Sequence, residues 1–404
     1  MVWDTPSHMT VGTRFDLSSG CQKRKIKTII GAFFFCLILL WIRAADLPRR
    51  TVNDSVEYWA SAHLLRAHHN PYDADSVLEL EKQAGRPGES PLVMWNPPWV
   101  LPLLLPFALF SYPTAQYLWL LAGCLCMFAS LHKLWQLYGK SKYPPPIACL
   151  LISVFTPLLL VLVLGQITPL MTLGIAGFLD CQRKQKYGRA GIYIFLIALK
   201  PHLAFLFWAA FILWVLSERK WRALWFFLAT IAAFTGIAIV FDRQVLNHYR
   251  EFWIHHSIAW NEFPTIPGLL CKLAGVQSIA LPALPAGLAV LGFLVHWVRV
   301  RKQWNWQNEL PILLLVSLST SPYAWLFDGV ILLPALLRVT NQPLPSSRPT
   351  WFLPLLFYFL INLSIVILVG IGKTLFWYAW VNPIWLLLYL WVRRLDLARF
   401  KLPA

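Results

Sequence analysis

Few residues in this chain could do chemistry. The most conspicuous pair lies in "NDSVEYWASAHLLRAHHNPYD", which runs from Asn53 to Asp73. Asp54 and Glu57 stand three positions apart, so on a helix they share one face. A carboxylate beside an apolar surface is partly desolvated, and its proton affinity rises. Such a group suits a general base that takes a proton from an alcohol. Two neighbouring carboxylates could also hold a divalent metal through oxygen ligands, and a charged pair that only faces water is a third reading of the same spacing. Lys200-Pro201-His202 interrupts an apolar stretch. Proline breaks a helix there, and a lysine beside the break could receive an anion such as a lipid phosphate or anchor a span end by snorkelling. The other candidates are Tyr58, Gln166 in "LGQITP", Arg250 and His256 in a second polar stretch, and Trp325 and Asp328 in "SPYAWLFD". The histidine pairs His68–His69 and His255–His256 are adjacent, and adjacent side chains do not face one another on a helix. No H-E-x-x-H, Walker loop, G-x-G-x-x-G or G-x-S-x-G occurs, so no metal site and no cofactor is assigned.

The elements that must position these groups are spans. The chain has 404 residues, 58% hydrophobic and only 13% charged, about half the roughly 25% charge of a soluble domain. Its apolar runs are long enough to cross a bilayer, and no dyad alternation suggests a β-barrel. The expectation is an all-α polytopic membrane protein with about 12 transmembrane helices. The net charge of +17 resides in short clusters, "KRKIK", "RKQKYGR", "SERKWR", "RVRK" and "RRLDLARFK", which read as cytoplasmic loops rather than a nucleic-acid surface. Seven cysteines without zinc or haem spacing read as packing residues.

The expected organisation is a cytoplasmic tail over 1–25, a membrane domain over 26–395 and a second tail over 396–404. The first span is Ile26–Ile42, with outer loops at 43–96 and 242–278. Val56–Arg66 is expected as an amphipathic helix along the membrane surface. The prolines of "NPPWVLPLLLPFALF" make that segment short or broken, and Gly165-Gln166 mark either a loop or a break lining a cavity. This topology collects Asp54, Glu57, Lys200, His202, His248, Arg250, His255, His256, Asp328 and Lys373 on the outer face.

The order of these motifs resembles glycosyltransferase family 87, a set of polyprenyl-phosphate-sugar-dependent membrane enzymes of GT-C fold. "DSVEYWASAHLLRAHHNPYD" is similar to a family block through Asp54, Tyr58, Ala60, Leu64, Leu65, Pro71, Tyr72 and Asp73. "WNPPWVLPLLLPFALF", "LGQITPL", "RKQKYGRAGIYIFLIALKPHLAFLF", "NEFPTIPGLLCKLAG" and "SPYAWLFDGVILLPALL" resemble later blocks in the same order. The family includes phosphatidylinositol-mannoside mannosyltransferases. The resemblance implies transfer of a hexose, mannose, from a polyprenyl-phosphate donor to a lipid or glycan hydroxyl, with inversion, at the outer face of the plasma membrane. It assigns Asp54 as the base and puts Lys200 near the donor phosphate, with Glu57, Tyr58, Gln166, His202, Arg250, His256, Trp325 and Asp328 as substrate-binding candidates. Many relatives carry a histidine after the S-P-x-x-W block, where this chain has Leu326, Phe327 and Asp328; its role would fall to His202 or His256. Membrane lipids are the expected surroundings, and nucleic acid is not an expected partner. A lipid-linked sugar flippase or solute transporter is the alternative, since broken helices suit that class, although the halves of the chain show no related pattern. A non-catalytic assembly subunit is a third reading and leaves the ionisable cluster unexplained.

Overall fold

Inside a bilayer no water replaces a broken backbone hydrogen bond, so every interruption of a helix needs protein partners. In a computed structural model the interruptions are where the chain builds its polar interior. The structure describes residues 53–138, 154–256, 259–275, 278, 280–341 and 353–399. The expected first span, the tail over 1–25 and the last residues of the C-terminal tail lie outside them. Among the described residues there are only helices and turns: α1 Ser55–Arg66, α2 Ala74–Gln83, α3 Leu101–Leu104, α4 Tyr112–Tyr138, α5 Thr156–Val163, α6 Thr168–Arg183, α7 Tyr187–Ile197, α8 Phe205–Glu218, α9 Trp221–Phe241, α10 Val245–His255, α11 Ile266–Ala274, α12 Ala280–Val300, α13 Trp306–Thr320, α14 Leu333–Asn341, α15 Leu353–Gly370 and α16 Val381–Arg399.

Six described segments are long and apolar enough to cross a membrane: Tyr112–Tyr138, Pro201–Glu218, Trp221–Phe241, Ala280–Gln303, Leu353–Gly370 and Leu375–Arg394. The expected count of about 12 is therefore not reached on length. The reason is fragmentation, because several apolar stretches fold as short pieces. Pro98–Leu109 is a 3₁₀ turn, α3 and a second 3₁₀ turn in series, and at roughly 1.5–2 Å per residue such a piece falls short of a bilayer's hydrocarbon core. Its carbonyls find side-chain donors on α1: Trp59 Nε1 donates to Phe110 O (3.0 Å) and Arg66 Nη1 to Ala108 O (2.9 Å).

The described helices run between two poles. At one, Lys133 of α4 and Arg183 and Lys184 of α6 surround Asp180. Nearby, Tyr138 and Arg338 both donate to Gln307 O, while His296 and Arg393 flank Glu309 at 2.8 and 3.2 Å. The clusters "RKQKYGR" and "RVRK" lie in or beside the turns at this pole. The other pole holds the broken helices. Between them lies an apolar core built on Phe178, Phe207, Phe211, Trp214 and Trp306, in which Phe178 meets Phe207, Trp214 and Trp306 edge to face; Phe178 and Trp306 are 4.8 Å apart at 90°. Contacts of this kind add about 0.5–1.5 kcal/mol each beyond area burial.

The helix expected along the membrane surface exists as α1, but nine of its twelve residues are buried, from Ser55 to Leu65. Three small residues in its middle turn, Ala60, Ser61 and Ala62, are each fully buried, so the helix is covered on more than one side. They let α1 pack against the 3₁₀ turns beneath it instead of floating on lipid.

The break at Gly165 has a specific form. The Gln166 N–H donates to Val161 O (3.1 Å) and the Gly165 N–H to Leu162 O (3.2 Å), closing the end of α5 as a Schellman motif. Gly165 has φ +67°, and a Cβ there would overlap the Asn53 Oδ1 oxygen. Asn53 is held by Val163 O (3.2 Å) and itself accepts the Ser55 N–H (2.9 Å). Trp119 Nε1 donates to Gly165 O (2.6 Å). Glycine is thus required twice here, for its dihedral angle and for space. We expect Gly165→Ala to cost more than the roughly 1–2 kcal/mol of a left-handed alanine. Gly275→Ala is the control, because Gly275 has φ +65° with no atom within 4 Å of a Cβ. Thermal unfolding of both variants in detergent checks this: equal shifts in Tm would mean that the Asn53 overlap is relieved at no cost.

Candidate active site

The three breaks, after α5, after α7 and after α13, meet α1 at one cavity of about 810 Å³. Each break supplies one polar side chain. Gln166 follows the Schellman turn of α5. Lys200 follows α7, where Pro201 removes a donor and opens the backbone. The freed carbonyls are capped from outside: Trp99 Nε1 donates to Ala198 O (3.0 Å), Asn96 Nδ2 to Leu199 O (2.9 Å) and Trp208 Nε1 to Pro201 O (3.1 Å). Asp328 sits in the 3₁₀ turn Leu326–Leu332, where its Oδ2 accepts the Trp325 N–H (3.0 Å) and so starts that turn.

These side chains form one continuous network. Gln166 Nε2 donates to Asp54 Oδ2 at 2.6 Å. Gln166 Oε1 accepts from Tyr58 OH and from Lys200 Nζ, each at 3.0 Å. Lys200 Nζ also donates to Asp328 Oδ1 at 3.0 Å, an ion pair in which the side chains are 10% and 1% exposed. Thr168 Oγ1 gives Asp328 Oδ1 a further bond at 2.8 Å. The lysine lies over the Phe327 ring, 5.0 Å from its centroid.

The two carboxyls of α1 are held differently. Burial raises the proton affinity of Asp54, while the Gln166 bond and then the Lys200 charge pull it back. Glu57 is pushed well above the ordinary carboxylate range, first by burial and second by the charge on Asp54. Both carboxyls thus hold their protons more tightly than in water, Glu57 by the larger shift.

Eight of the ten residues singled out in the sequence line the cavity: Asp54, Glu57, Tyr58, Gln166, Lys200, His202, Trp325 and Asp328. Arg250 does not; it is exposed on α10 and outside the lining. His256 does not either. Its ring packs on Phe252 with centroids 4.3 Å apart, edge-on to Trp95, and its Nδ1 is 3.1 Å from Phe252 O. Of the two histidines considered in place of the one many relatives carry, only His202 reaches the cavity, where it stacks on Tyr323 at 3.9 Å. Lining residues not singled out include Asn96, Tyr249, Trp253, Glu262 and Tyr323. The WNPP motif and the second outer loop carried the signal for four of them, but not which residues turn inward. Among the described residues no group of three His, Cys, Asp or Glu side chains could hold a metal.

The Lys200–Asp328 pair is deeply buried, and breaking one partner of such a pair leaves a stranded charge. We expect Lys200→Met and Asp328→Asn each to lower stability by about 3–5 kcal/mol. The double variant Lys200→Met/Asp328→Asn should cost less than the sum. Thermal unfolding in detergent gives the comparison, and additive losses would mean that the two groups do not interact.

Neither a curated protein nor a solved structure matches the chain. The family model of glycosyltransferase family 87 matches residues 95–334, a segment that holds Gln166, Lys200, His202, Trp325 and Asp328 of the network and its surroundings. With more than half its length matched and its polar groups gathered at a cavity among apolar helices, the chain belongs to glycosyltransferase family 87 and is a membrane glycosyltransferase.

Proposed function

We propose that the chain moves a hexose, mannose, from a polyprenyl-phosphate donor to a hydroxyl of a lipid or glycan acceptor, with inversion. The single observation that carries this reading is the Asp54 carboxylate, gripped by Gln166 at 2.6 Å, in the wall of a cavity with room for a sugar. Asp54 takes the proton from the acceptor hydroxyl. The hydroxyl oxygen attacks the anomeric carbon from the face opposite the phosphate. The carbon–oxygen bond to phosphate breaks, and the phosphate leaves with the electron pair. One displacement inverts the centre, so a β-linked donor gives an α-glycoside.

Lys200 acts on the base rather than on the leaving group, because its charge is already committed to Asp328 and its hydrogen bonds orient Gln166. Glu57, in the same cavity wall and with its proton affinity raised well above the ordinary range, hydrogen-bonds a sugar or acceptor hydroxyl. Trp95, Trp325 and Tyr58 offer ring faces in the same wall. The placement of the reaction in the outer leaflet of the plasma membrane rests on charge: the pole opposite the cavity carries the basic clusters that are retained in the cytoplasm.

A general base contributes about 10²–10⁴-fold. Asp54→Asn should therefore lower transfer from a polyprenyl-phosphate sugar by at least about 10²-fold while the purified protein keeps its unfolding temperature. Wild-type turnover in a well-folded Asp54→Asn protein would remove the base assignment.

The pH dependence has a fixed sign. Only ionised Asp54 accepts a proton, and its affinity is raised, so activity falls on the acid side at a pH above the ordinary aspartate value of 3.8. The Gln166 bond lowers that affinity. Gln166→Leu should then move the acid limb to higher pH, and an unmoved limb in a pH profile of kcat/KM would mean that another group sets it.

A further inference from the structure

A glycosyl phosphate carries a negative charge, and the departing phosphate carries more, so the cavity must offer it a cation. The charges already present argue against Lys200. Four carboxyls line the cavity, Asp54, Glu57, Glu262 and Asp328, against two ammonium groups, Lys200 and Lys373. Lys200 is bound at 3.0 Å to both Asp328 and Gln166 and is buried to 9% exposure. Drawing it toward a phosphate would strand the Asp328 carboxylate and release Gln166 from the base.

Lys373 is differently placed. It follows α15 in a second Schellman turn: its N–H donates to Leu368 O (3.0 Å) and the Gly372 N–H to Val369 O (3.0 Å), with Gly372 at φ +66°. That turn fixes the backbone, and Lys373 is one of the residues that line the cavity. The ammonium lies 4.9 Å from the centroid of the Trp377 ring, and among the described residues no carboxylate is within ion-pair distance of it. The residue is exposed, so a ligand competes only with the contact to the Trp377 ring. Where α15 packs on α5, the cavity lining includes aliphatic side chains: Val369 of α15, Leu375 after its closing turn, Leu160 of α5 and Leu164 at its end. A free cation set in an aliphatic wall matches an amphiphile with a phosphate at the head of a hydrocarbon chain. Lys373 also lies beyond the segment matched by the family model, which ends at 334.

We propose that Lys373 binds the phosphate of the lipid-linked donor, with the first isoprene units resting on the aliphatic side chains of α5 and the α15 turn. This inference rests on the donor class proposed above. Lys373 is then a ligand of the leaving group, and Lys200 a positioning residue for the base.

The test is direct binding of a short prenyl monophosphate, farnesyl phosphate, to the full chain in detergent. Quenching of tryptophan fluorescence is the readout, since Trp95, Trp253 and Trp325 line the cavity. Farnesol, the uncharged alcohol, is the comparator. Lys373→Gln should raise the Kd for farnesyl phosphate by about tenfold or more, leave farnesol within about twofold, and be rescued by Lys373→Arg to within about threefold. An unchanged Kd for farnesyl phosphate in Lys373→Gln overturns the assignment, as does an equal loss of both ligands, which would mark the lysine as part of the apolar wall only. A wild-type chain that binds farnesyl phosphate no better than farnesol instead sinks the donor class, whatever Lys373 does.

Discussion

The carboxamide of Gln166 is the joint on which the cavity depends. Its oxygen accepts from two donors, Tyr58 OH and Lys200 Nζ, so its amide nitrogen is forced to face Asp54. An amide has no other way to satisfy both neighbours. The hydrogen bond that Asp54 receives is therefore oriented by a lysine with which Asp54 shares no hydrogen bond. That lysine is in turn set by Asp328, and Asp328 by Thr168 and the Trp325 N–H. In an interior with little water each link is costly to lose, because the group left behind has no replacement partner. A rigid chain of this kind suits a group that must meet a hydroxyl proton in a narrow range of directions.

The same constraint accounts for the broken helices. An uninterrupted span satisfies its own backbone and presents side chains only sideways. To bring Gln166, Lys200 and Asp328 to one place, the chain must stop three helices near the same depth and turn. Each stop frees backbone groups, and each is repaired locally: by the Schellman bonds after α5, by Asn96, Trp99 and Trp208 around Pro201, and by the Asp328 side chain itself. Tryptophan suits this repair. Its single N–H reaches a carbonyl while the rest of the ring stays in apolar surroundings. The chain has 22 tryptophans, and the four named here as donors to backbone carbonyls, Trp59, Trp99, Trp119 and Trp208, all lie at such breaks.

How much of this could be read from the residues varies with the kind of signal. Charge scarcity and long apolar runs suffice for the helical membrane class, and the proline and glycine punctuation marks the breaks at Gly165 and Pro201. Six of the described segments have the length and apolarity of a span, and hydropathy, which sees apolar stretches, does not show how the others are divided. The α1 segment was expected on the membrane surface, and its small residues, which allow close packing on both sides, were the unread signal. Helical period explains one miss in detail. Tyr249 and Trp253, four apart on α10, face the cavity, so Arg250, one residue on, is turned by about 100° away from it. The Lys200–Asp328 pair spans 128 residues, and no local pattern announces which acid a buried lysine will meet.

The division of the chain by the family match has a physical counterpart. The matched segment supplies the polar scaffold, Gln166, Lys200 and Asp328, and the broken helices that hold it. The two carboxyls of α1 lie before that segment and Lys373 lies after it. The α1 flank is firmly attached. The start of α1 is tied to the end of α5 through Asn53 and Val163, its middle to Gln166 through Tyr58, and its end to Ala108 through Arg66. The scaffold can therefore fix where a reacting hydroxyl must sit, while the flanking segments set what reaches it. An acid from one flank and a cation from the other line the same mostly apolar cavity. The displacement proposed above uses both, one group to take a proton from the incoming oxygen and the other to hold the charge on the departing one.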